Sequence, residues 1–386
     1  MNVAVIDADL IGRAGHRFPN LACMKISAYW KTKGANVELK LDYKDLDQFD
    51  QVFISKVFSD TPIPENIKET ETIHLGGTGF YFDKAPNLPY EIEHIMPDYH
   101  LYDNWVEAQK QKERELAIKK GKKPNEKNID NKYSEYTDYS IGFLTRGCFR
   151  KCKFCVNQKY DKVEVHSPLE EFYDPSRKKI CLLDDNFFGC PKWSELLDQL
   201  IDTGKRFKFK QGLDERMLNA EKCKKLFSVK YDNFITFAFD NIGDYDLIES
   251  KLKLIKKYRN SKDITFYVLV GFESTDITDI EGAFKRIHLL MQYQCIPFVM
   301  KYRGEHEAPF EKSEYRGMYI TLARWCNQAS MFKTKSLREY AYTCQKDIKS
   351  NNDCSAVRYL KEFESKHPDI AARYFDIKYS DYKEGK

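Results

Sequence analysis

The sequence lacks a long apolar run and a strong excess of charge of one sign, and we expect no export leader from its first residues. No apolar run approaches the roughly 20 residues that a helix needs to cross a bilayer. The first ten residues, MNVAVIDADL, contain acidic side chains where a secretory signal carries basic ones. The 63 basic residues are nearly balanced by 59 acidic ones, and the net charge of +4 does not indicate a polyanionic partner. We therefore expect a cytoplasmic protein that binds no membrane, and nucleic-acid binding is not indicated.

The composition also lacks the signatures of disordered, coiled-coil and collagen-like chains. Apolar residues make up 42% of the 386 positions, which is ordinary for globular proteins. A chain of this length exceeds the usual size of one hydrophobic core, so we expect more than one domain.

Cysteine is the one residue type present in unusual number, with 11 in the chain. Because no export signal accompanies them, we favour reduced thiols with a metal or redox role over a disulfide framework. Eight of the cysteines are scattered, and those in apolar runs, Cys181 and Cys295, are expected to be small buried hydrophobes. The loose spacing of Cys326, Cys344 and Cys354 leaves a second metal cluster open.

The other three cysteines, Cys148, Cys152 and Cys155, form a CxxxCxxC triplet within TRGCFRKCKFCVNQKY. Thiolates this close in sequence can converge on one soft metal centre, because a short loop can wrap around it. Structural zinc usually has four ligands from two separated pairs, and here only His166 stands nearby as a fourth. An iron–sulfur cubane held by three cysteines instead leaves one iron open to another ligand. The spacing favours the iron–sulfur cluster and keeps zinc as the alternative.

The triplet resembles the CxxxCxφC signature of radical S-adenosylmethionine (radical SAM) enzymes, with Phe154 at the aromatic position φ. The resemblance implies a [4Fe-4S] cluster on Cys148, Cys152 and Cys155, whose open iron binds the amino and carboxylate groups of S-adenosylmethionine (SAM). Phe154 is then expected near the adenine. The implied reaction is reductive cleavage of SAM to a 5′-deoxyadenosyl radical, which abstracts hydrogen from a substrate. The implied partner is a reductant such as flavodoxin or ferredoxin.

The chain around the triplet shows the βα alternation of the barrel found in this family, with the cysteine loop directly after the first strand. Apolar runs predict six strands, at 140–145, 179–183, 206–212, 233–240, 264–272 and 296–302. Among the helices predicted between them, one opens at Ser167 with Glu170 as capping-box partner, and another opens with a box of Thr278 and Glu281. The predicted fold is α/β, with a partial (βα)6 TIM-like barrel over 139–305 and a helical C-terminal cap over 306–386.

Polar side chains follow the carboxyl ends of these strands, where barrel enzymes place their functional groups. The resemblance implies that the loop LDDNFFG, after the second strand, contacts the methionine amino group, which makes Asp184, Asp185 and Asn186 candidates. Arg216 is the candidate for the SAM carboxylate, because a guanidinium holds a carboxylate through two parallel hydrogen bonds. The remaining cofactor-binding candidates are Gln211, Asp240 at the ribose hydroxyls, and Glu273 near the adenine.

Residues 1–103 resemble the Rossmann-like cobalamin-binding domain that precedes many radical SAM barrels. The signature of that domain is DxHxxG, and Asp9 stands here where the cobalt-ligating histidine would be. Ser55 and the pair Gly76 and Gly77 lie near the positions of its later motifs, so the resemblance leaves cobalamin open as a further cofactor. Residues 104–138 are rich in charge and predict a solvated helix leading into a mobile linker.

Three functions stay open at this point. The favoured one is a radical SAM enzyme whose substrate and overall reaction, be it transfer, lysis or oxidoreduction, the sequence does not identify. A cobalamin-dependent radical SAM methyltransferase is the nearest alternative and requires bound cobalamin. A noncatalytic zinc-binding interaction module requires zinc without acid-labile sulfide.

Overall fold

The computed structural model describes residues 1–259, 263–304, 308–345 and 353–382. These residues form parallel sheets together with many helices, so the protein has the α/β character that the sequence predicts. The chain divides into two compact units, Met1–Lys210 and Gln211–Lys386. No helix in the described ranges is both long enough and apolar enough to cross a membrane.

The first unit begins with a four-stranded parallel sheet. Its strands are β1 Asn2–Asp7, β2 Asn36–Leu39, β3 Gln51–Ser55 and β4 Ile73–Gly76. They are ordered β2-β1-β3-β4. Along β1, Val3 and Val5 belong to one hydrophobic cluster and Ala4 and Ile6 to another, because alternate side chains point to opposite faces. A central parallel strand that is covered on both faces is continuously apolar for this reason.

Four of the seven helices of the first unit, those that contain Met24, Ile92, Val106 and Tyr133, contribute buried residues to the cluster around Val3 and Val5. The seven helices are α1 Ala8–Gly12, α2 Leu21–Thr32, α3 Thr78–Tyr81, α4 Tyr90–Glu93, α5 Asp103–Lys119, α6 Glu126–Thr137 and α7 Trp193–Asp202. Helix α2 buries Cys23, Met24 and Ile26 on the face that contacts the sheet.

The charged segment 104–138 contains two helices, α5 and α6, and is more ordered than the predicted linker. Helix α6 has a narrow apolar face made by Ile129, Tyr133 and Tyr136, at the i, i+4, i+7 spacing of one helical side. Tyr133 and Tyr136 are buried in the same hydrophobic cluster as the first strand of the chain. Two tyrosine side chains thus attach a helix that is otherwise mostly polar and charged to this cluster.

Six parallel strands lie within a few residues of the six predicted ranges. With the two short strands between the first and the second, they are β5 Tyr139–Gly142, β6 Thr145–Arg146, β7 Glu164–Val165, β8 Lys179–Leu182, β9 Arg206–Phe209, β10 Ile235–Ala238, β11 Ile264–Val270 and β12 Ile296–Lys301. The first unit contains the sheet β5-β8-β9 and the second contains β10-β11-β12. In the described residues these strands therefore form two three-stranded sheets, and a closed run of six strands stays a prediction.

One predicted helix is missing after the cysteine loop. The sequence predicts a helix that opens at Ser167, but Pro168 has extended backbone (φ −55°, ψ 147°) and only a 3-10 turn at Leu169–Glu171 follows. Ser167 is buried, and its hydroxyl bonds with Nδ1 of His166 at 3.0 Å instead of capping a helix. The prediction of this helix is wrong because proline tolerates extended backbone as well as a first helical turn.

The second unit surrounds its sheet with helices. They are α8 Ala220–Ser228, α9 Tyr245–Tyr258, α10 Ile277–Gln292, α11 Arg316–Cys326, α12 Ala329–Thr334, α13 Leu337–Thr343, α14 Ser355–Lys366 and α15 Pro368–Tyr374. The predicted capping box of Thr278 and Glu281 is wrong. The N-cap of α10 is Asp276, whose carboxylate accepts hydrogen bonds from the amide and the hydroxyl of Thr278 at 2.8 and 2.6 Å.

On the side of β10 that faces away from β11, the backbone is hydrogen-bonded to a loop and not to another strand. The Leu213 amide donates to the Thr236 carbonyl at 2.8 Å, and the Glu215 carboxylate accepts from the Ala238 amide at 3.1 Å. These bonds satisfy backbone groups that a neighbouring strand would otherwise pair, which accounts for the end of the sheet at β10.

Candidate functional site

The cysteine triplet lies on the loop that joins β6 to β7. Lys151 has left-handed backbone (φ 50°) and turns the loop between Cys148 and Cys152. The Cys155 amide then donates to the Cys152 carbonyl at 2.9 Å, which tightens the second turn. All three thiols are partly exposed, whereas Cys181 and Cys295 are buried, as the sequence predicts. The triplet thus places three partly exposed cysteines on one loop.

Two amide groups donate hydrogen bonds to sulfur in this loop. Sγ of Cys155 accepts from the Asn157 amide at 3.4 Å, and Sγ of Cys148 accepts from the side-chain amide of Asn186 at 3.5 Å. Burial raises the pKa of the Cys155 thiol, the Asn157 amide lowers it, and the neighbouring Cys152 and Cys148 raise it again. A bound metal lowers the pKa of a coordinating thiol, because coordination requires the thiolate.

The thiols are close in sequence but do not converge in this structure. Across the described ranges, no three His, Cys, Asp or Glu side chains are arranged to hold a metal ion. The donor set nevertheless fits an iron–sulfur cluster, because three thiols with amide donors to sulfur are the groups that such clusters use.

His166, the fourth ligand that zinc would require, is engaged elsewhere. Its Nδ1 bonds with the Ser167 hydroxyl, and its Nε2 lies 3.6 Å from the Glu93 carboxylate. The ring also stacks on His94, with 5.1 Å between the centroids. Burial lowers the pKa of His166 to about 4. Because Nδ1 is bonded to Ser167, and no metal-holding group is formed among the described residues, His166 does not complete a site with the triplet here.

Asp184 anchors the strand that leads into the cysteine loop. Its carboxylate is 1% exposed and accepts hydrogen bonds from the Leu144 amide at 3.3 Å and from the amide and hydroxyl of Thr145 at 2.7 and 2.6 Å. Burial raises its pKa to about 7, and the bonds from Thr145 and Leu144 oppose that shift. Asp184 therefore fixes the start of the loop from the end of β8.

Asp185 anchors the loop itself. Its carboxylate accepts from the Gly147 amide at 2.9 Å and from the side-chain amide of Asn157 at 2.7 Å, so it joins the two flanks of the triplet. Gly147 has φ +97°, and a Cβ there would lie 2.3 Å from the Lys162 carbonyl oxygen, which only glycine avoids. Sequence reasoning singled out Asp185 but missed Gly147 and Asn157, whose role depends on a contact across 28 residues or more.

The other candidates of the first unit lie on the same two loops. Asn186 is 2% exposed and donates to Cys148, as described above. Phe154 lies on the cysteine loop and is partly exposed. The structure thus brings Asp184, Asp185 and Asn186 together with the triplet. Their contacts with SAM stay a prediction.

The remaining candidates lie in the second unit. Nε of Arg216 lies 2.8 Å from the Asp214 carboxylate, and its Nη1 lies 3.4 Å from that of Asp244. Burial disfavours the guanidinium charge, but these carboxylates dominate and raise the pKa of Arg216. As a SAM-carboxylate ligand, Arg216 would have to exchange one of these partners. Gln211 and Glu273 are exposed.

Asp240 follows β10 and accepts a hydrogen bond from the Leu269 amide at 3.2 Å. Burial raises its pKa to about 6. Arg286, which is 2% exposed, donates to the carbonyls of Phe239, Asp240 and Leu269 at 2.8–2.9 Å. This buried guanidinium ties the ends of β10 and β11 together and was not singled out from the sequence.

Next to the N-terminal sheet, Asp9 occupies the position at which the cobalamin-binding signature has its histidine, and its carboxylate is hydrogen-bonded within the protein. The Asp9 carboxylate accepts hydrogen bonds from the Val57 amide at 2.7 Å, the Phe58 amide at 3.4 Å and the Thr61 hydroxyl. Gly77 has φ +98°, and a Cβ there would lie 2.3 Å from the Lys56 carbonyl oxygen. Asp9 and Gly77 therefore hold the loop after β3, and Asp9 offers no free ligand to a cobalt ion.

Ser55 belongs to a buried network at the same end of the sheet. The Asn20 side chain donates to the Ser55 hydroxyl at 2.9 Å, the Asn20 amide donates to the Tyr102 hydroxyl at 3.1 Å, and Tyr102 donates to Asp7 at 2.9 Å. These four residues connect the ends of β1 and β3 with α2 and with the segment before α5. The residues at these motif positions have structural roles here.

Comparisons with known proteins include a weak similarity to a solved structure. No protein-family model matches the sequence, and no curated protein matches it. Among solved structures, the chain is similar to that of apo, selenomethionine-labelled OxsB, a cobalamin-dependent SAM radical enzyme. The similarity covers 95% of this chain and 61% of the OxsB chain, at 12% identity and a TM-score of 0.33. The chain thus spans less than two thirds of the OxsB chain, and a similarity at this level establishes neither fold nor function.

Proposed function

We propose that this chain is a radical SAM enzyme that binds a [4Fe-4S] cluster through Cys148, Cys152 and Cys155. The observation that carries the proposal is the position of the CxxxCxxC triplet. It lies on a partly exposed loop shortly after β5, and Asp184 and Asp185 from the end of β8 brace that loop. The spacing selects three ligands, and three ligands leave one iron free for SAM.

The strand order supports the same proposal. Six parallel strands follow one another in two sheets, and the triplet comes after the first of them. We include the partial (βα)6 barrel in the proposal, with candidate SAM contacts at the carboxyl ends of its strands. The candidates are Phe154, Asp184, Asp185, Asn186, Gln211, Arg216, Asp240 and Glu273.

The bound cluster would supply the electron that cleaves the sulfonium of SAM and so generates a 5′-deoxyadenosyl radical. The protein supplies positioning. Asp184 and Asp185 hold the two flanks of the cysteine loop, and the Asn186 and Asn157 amides donate to sulfur. Hydrogen bonds to the sulfurs stabilise the more negative charge state of the cluster. An external one-electron donor such as flavodoxin or ferredoxin completes the proposal, and the substrate is not identified.

Metal analysis after anaerobic reconstitution tests the cluster. The proposal predicts about four iron and four acid-labile sulfide ions per chain, as the cubane requires. Cys152→Ser should retain little of either, because two thiolates do not hold a cubane. Cys344→Ser is the matched control, since Cys344 is exposed, lies outside the triplet and belongs to no metal-holding group among the described residues. Stoichiometric zinc without sulfide would overturn the proposal in favour of a zinc-binding interaction module.

A further inference from the structure

A cavity of about 470 Å³ lies in the second unit beside β12. β12 is the edge strand of its sheet, and the Asn327 side chain closes that edge. Oδ1 of Asn327 accepts from the Val299 amide at 2.8 Å, and its Nδ2 donates to the Val299 carbonyl at 3.0 Å. Val299 and Asn327 thus form a fixed floor for a cavity whose size is ordinary for a small-molecule site.

The charged side chains around this cavity are mostly cationic. Lys301 comes from the end of β12, and Arg316 and Arg324 come from α11, whereas Glu311 is the one carboxylate among the lining residues. Within the ranges that the structure describes, no carboxylate forms an ion pair with any of these three cations. Elsewhere in the same unit Arg338 pairs with both Glu364 and Asp376. Among the described lining residues, the three cations are therefore offset only by Glu311, and none of them is held in an ion pair.

The cations are also close enough to repel one another. Burial lowers the pKa of Lys301, and the positive charges of Arg303, Arg324 and Arg316 lower it further, with Glu311 opposing them. Like charges that crowd a partly enclosed space destabilise the protein unless an anion joins them. Lys301 also lies over the ring of Phe310, another lining residue, with Nζ 4.8 Å from the centroid.

We propose that this cavity binds a small-molecule phosphate through Lys301, Arg316 and Arg324. The three cations exceed the single carboxylate by two charges, and a phosphate monoester carries nearly two negative charges at neutral pH. A guanidinium matches the geometry of phosphate oxygens through paired N–H donors, and an ammonium adds a compact charge. A carboxylate ligand would leave one positive charge unmatched. The site is independent of the cysteine loop and does not depend on the proposed function.

Isothermal titration calorimetry of the full chain tests the site, with inorganic phosphate, phenyl phosphate and acetate as probes. We expect saturable binding of both phosphates that weakens with added salt, and much weaker binding of acetate. The double variant Arg316→Gln/Arg324→Gln should bind phosphate at least about tenfold more weakly, because two charge-assisted contacts are lost. Arg324→Lys, which keeps the charge, should lose less.

Arg358→Gln/Arg373→Gln is the matched control, because both arginines are exposed on helices α14 and α15. It removes the same charge and should bind phosphate as the wild type does. A thermal midpoint of the Arg316→Gln/Arg324→Gln variant that is no lower than that of the ligand-free wild type separates loss of binding from loss of folding. Absence of saturable phosphate binding by the wild type, or equal affinity in the double variant, would overturn the proposal. Tighter binding of a short oligonucleotide than of phenyl phosphate would also overturn it, in favour of a nucleic-acid surface.

Discussion

Asp7 shows how a single buried carboxyl group sets the pH dependence of stability. It is 1% exposed, and burial raises its pKa to about 7, although the Tyr102 hydroxyl and the Leu10 amide oppose the shift. The folded protein therefore keeps the Asp7 proton at pH values where the unfolded chain has released it. By linkage, the stability that this proton provides is fully present below about pH 4 and is lost as the pH rises towards 7.

Asp7→Asn should remove this loss. Asparagine cannot ionise, yet its carbonyl oxygen still accepts hydrogen bonds and still caps a helix N-terminus. At pH 8 we expect the free energy of unfolding of the variant to exceed that of the wild type by about 1–3 kcal/mol. At pH 4 the two proteins should be nearly equal. Urea denaturation at both pH values measures the difference, and a variant that is less stable at both contradicts the role given to the Asp7 proton.

Sequence spacing alone marks some residues of the candidate site. CxxxCxxC and the consecutive Asp184 and Asp185 stand out in the sequence, and the structure brings them together. Their partners Gly147 and Asn157 do not stand out, because a glycine and an asparagine near a cysteine fit many loops. Only the folded chain shows that Asp185 connects them.

At the scale of elements, the brace between the end of β8 and the cysteine loop makes a specific prediction. Asp185→Ala releases both Gly147 and Asn157, so the flanks of the loop lose their common anchor. Removal of an outer partner of metal ligands typically weakens metal binding about 10–100-fold. We expect faster loss of iron from the reconstituted variant in competition with a chelator.

Asp161→Ala is the control for this change. Asp161 lies on the same loop and is exposed, and its carboxylate pairs only with Lys151 among the described contacts. It should release iron at the wild-type rate. Equal rates for Asp185→Ala and the wild type would show that the brace does not support the cluster.

Helix α6 gives a second prediction at this scale. Its docking through Tyr133 and Tyr136 protects the backbone around Lys132, whereas the turn at Lys120 and Gly121, between α5 and α6, is exposed. Limited digestion with trypsin should therefore cut first at the lysines of that turn and later at Lys132. Cleavage at Lys132 as fast as in the turn would indicate the mobile linker that composition predicts.

Strands were easier to predict than helix starts, for a physical reason. The six strands are buried parallel strands, and their continuous apolar runs are visible in the sequence. Helix starts depend on one or two side chains, and several residues compete for that role. Pro168 has extended backbone where the first turn of a helix was predicted. The N-cap of α10 is Asp276 and not the predicted Thr278.

For the whole molecule, the division after Lys210 falls within the segment that the sequence predicts as one barrel. The loop bonds of Leu213 and Glu215 along β10 leave no trace in an apolar pattern, because amides and a carboxylate of a loop supply them. Sequence patterns predict the order of the strands well, but they do not predict where a sheet ends. The domain boundaries predicted at 103, 138 and 305 stay predictions.

The production of 5′-deoxyadenosine tests the proposed function most directly. The full chain is reconstituted with iron and sulfide without oxygen, reduced with dithionite and incubated with SAM, and the nucleoside products are separated by chromatography. The proposed function predicts that 5′-deoxyadenosine accumulates with the wild type and with Cys344→Ser but not with Cys152→Ser. No 5′-deoxyadenosine from wild-type protein that carries its full iron and sulfide, or equal amounts from Cys152→Ser, would contradict it.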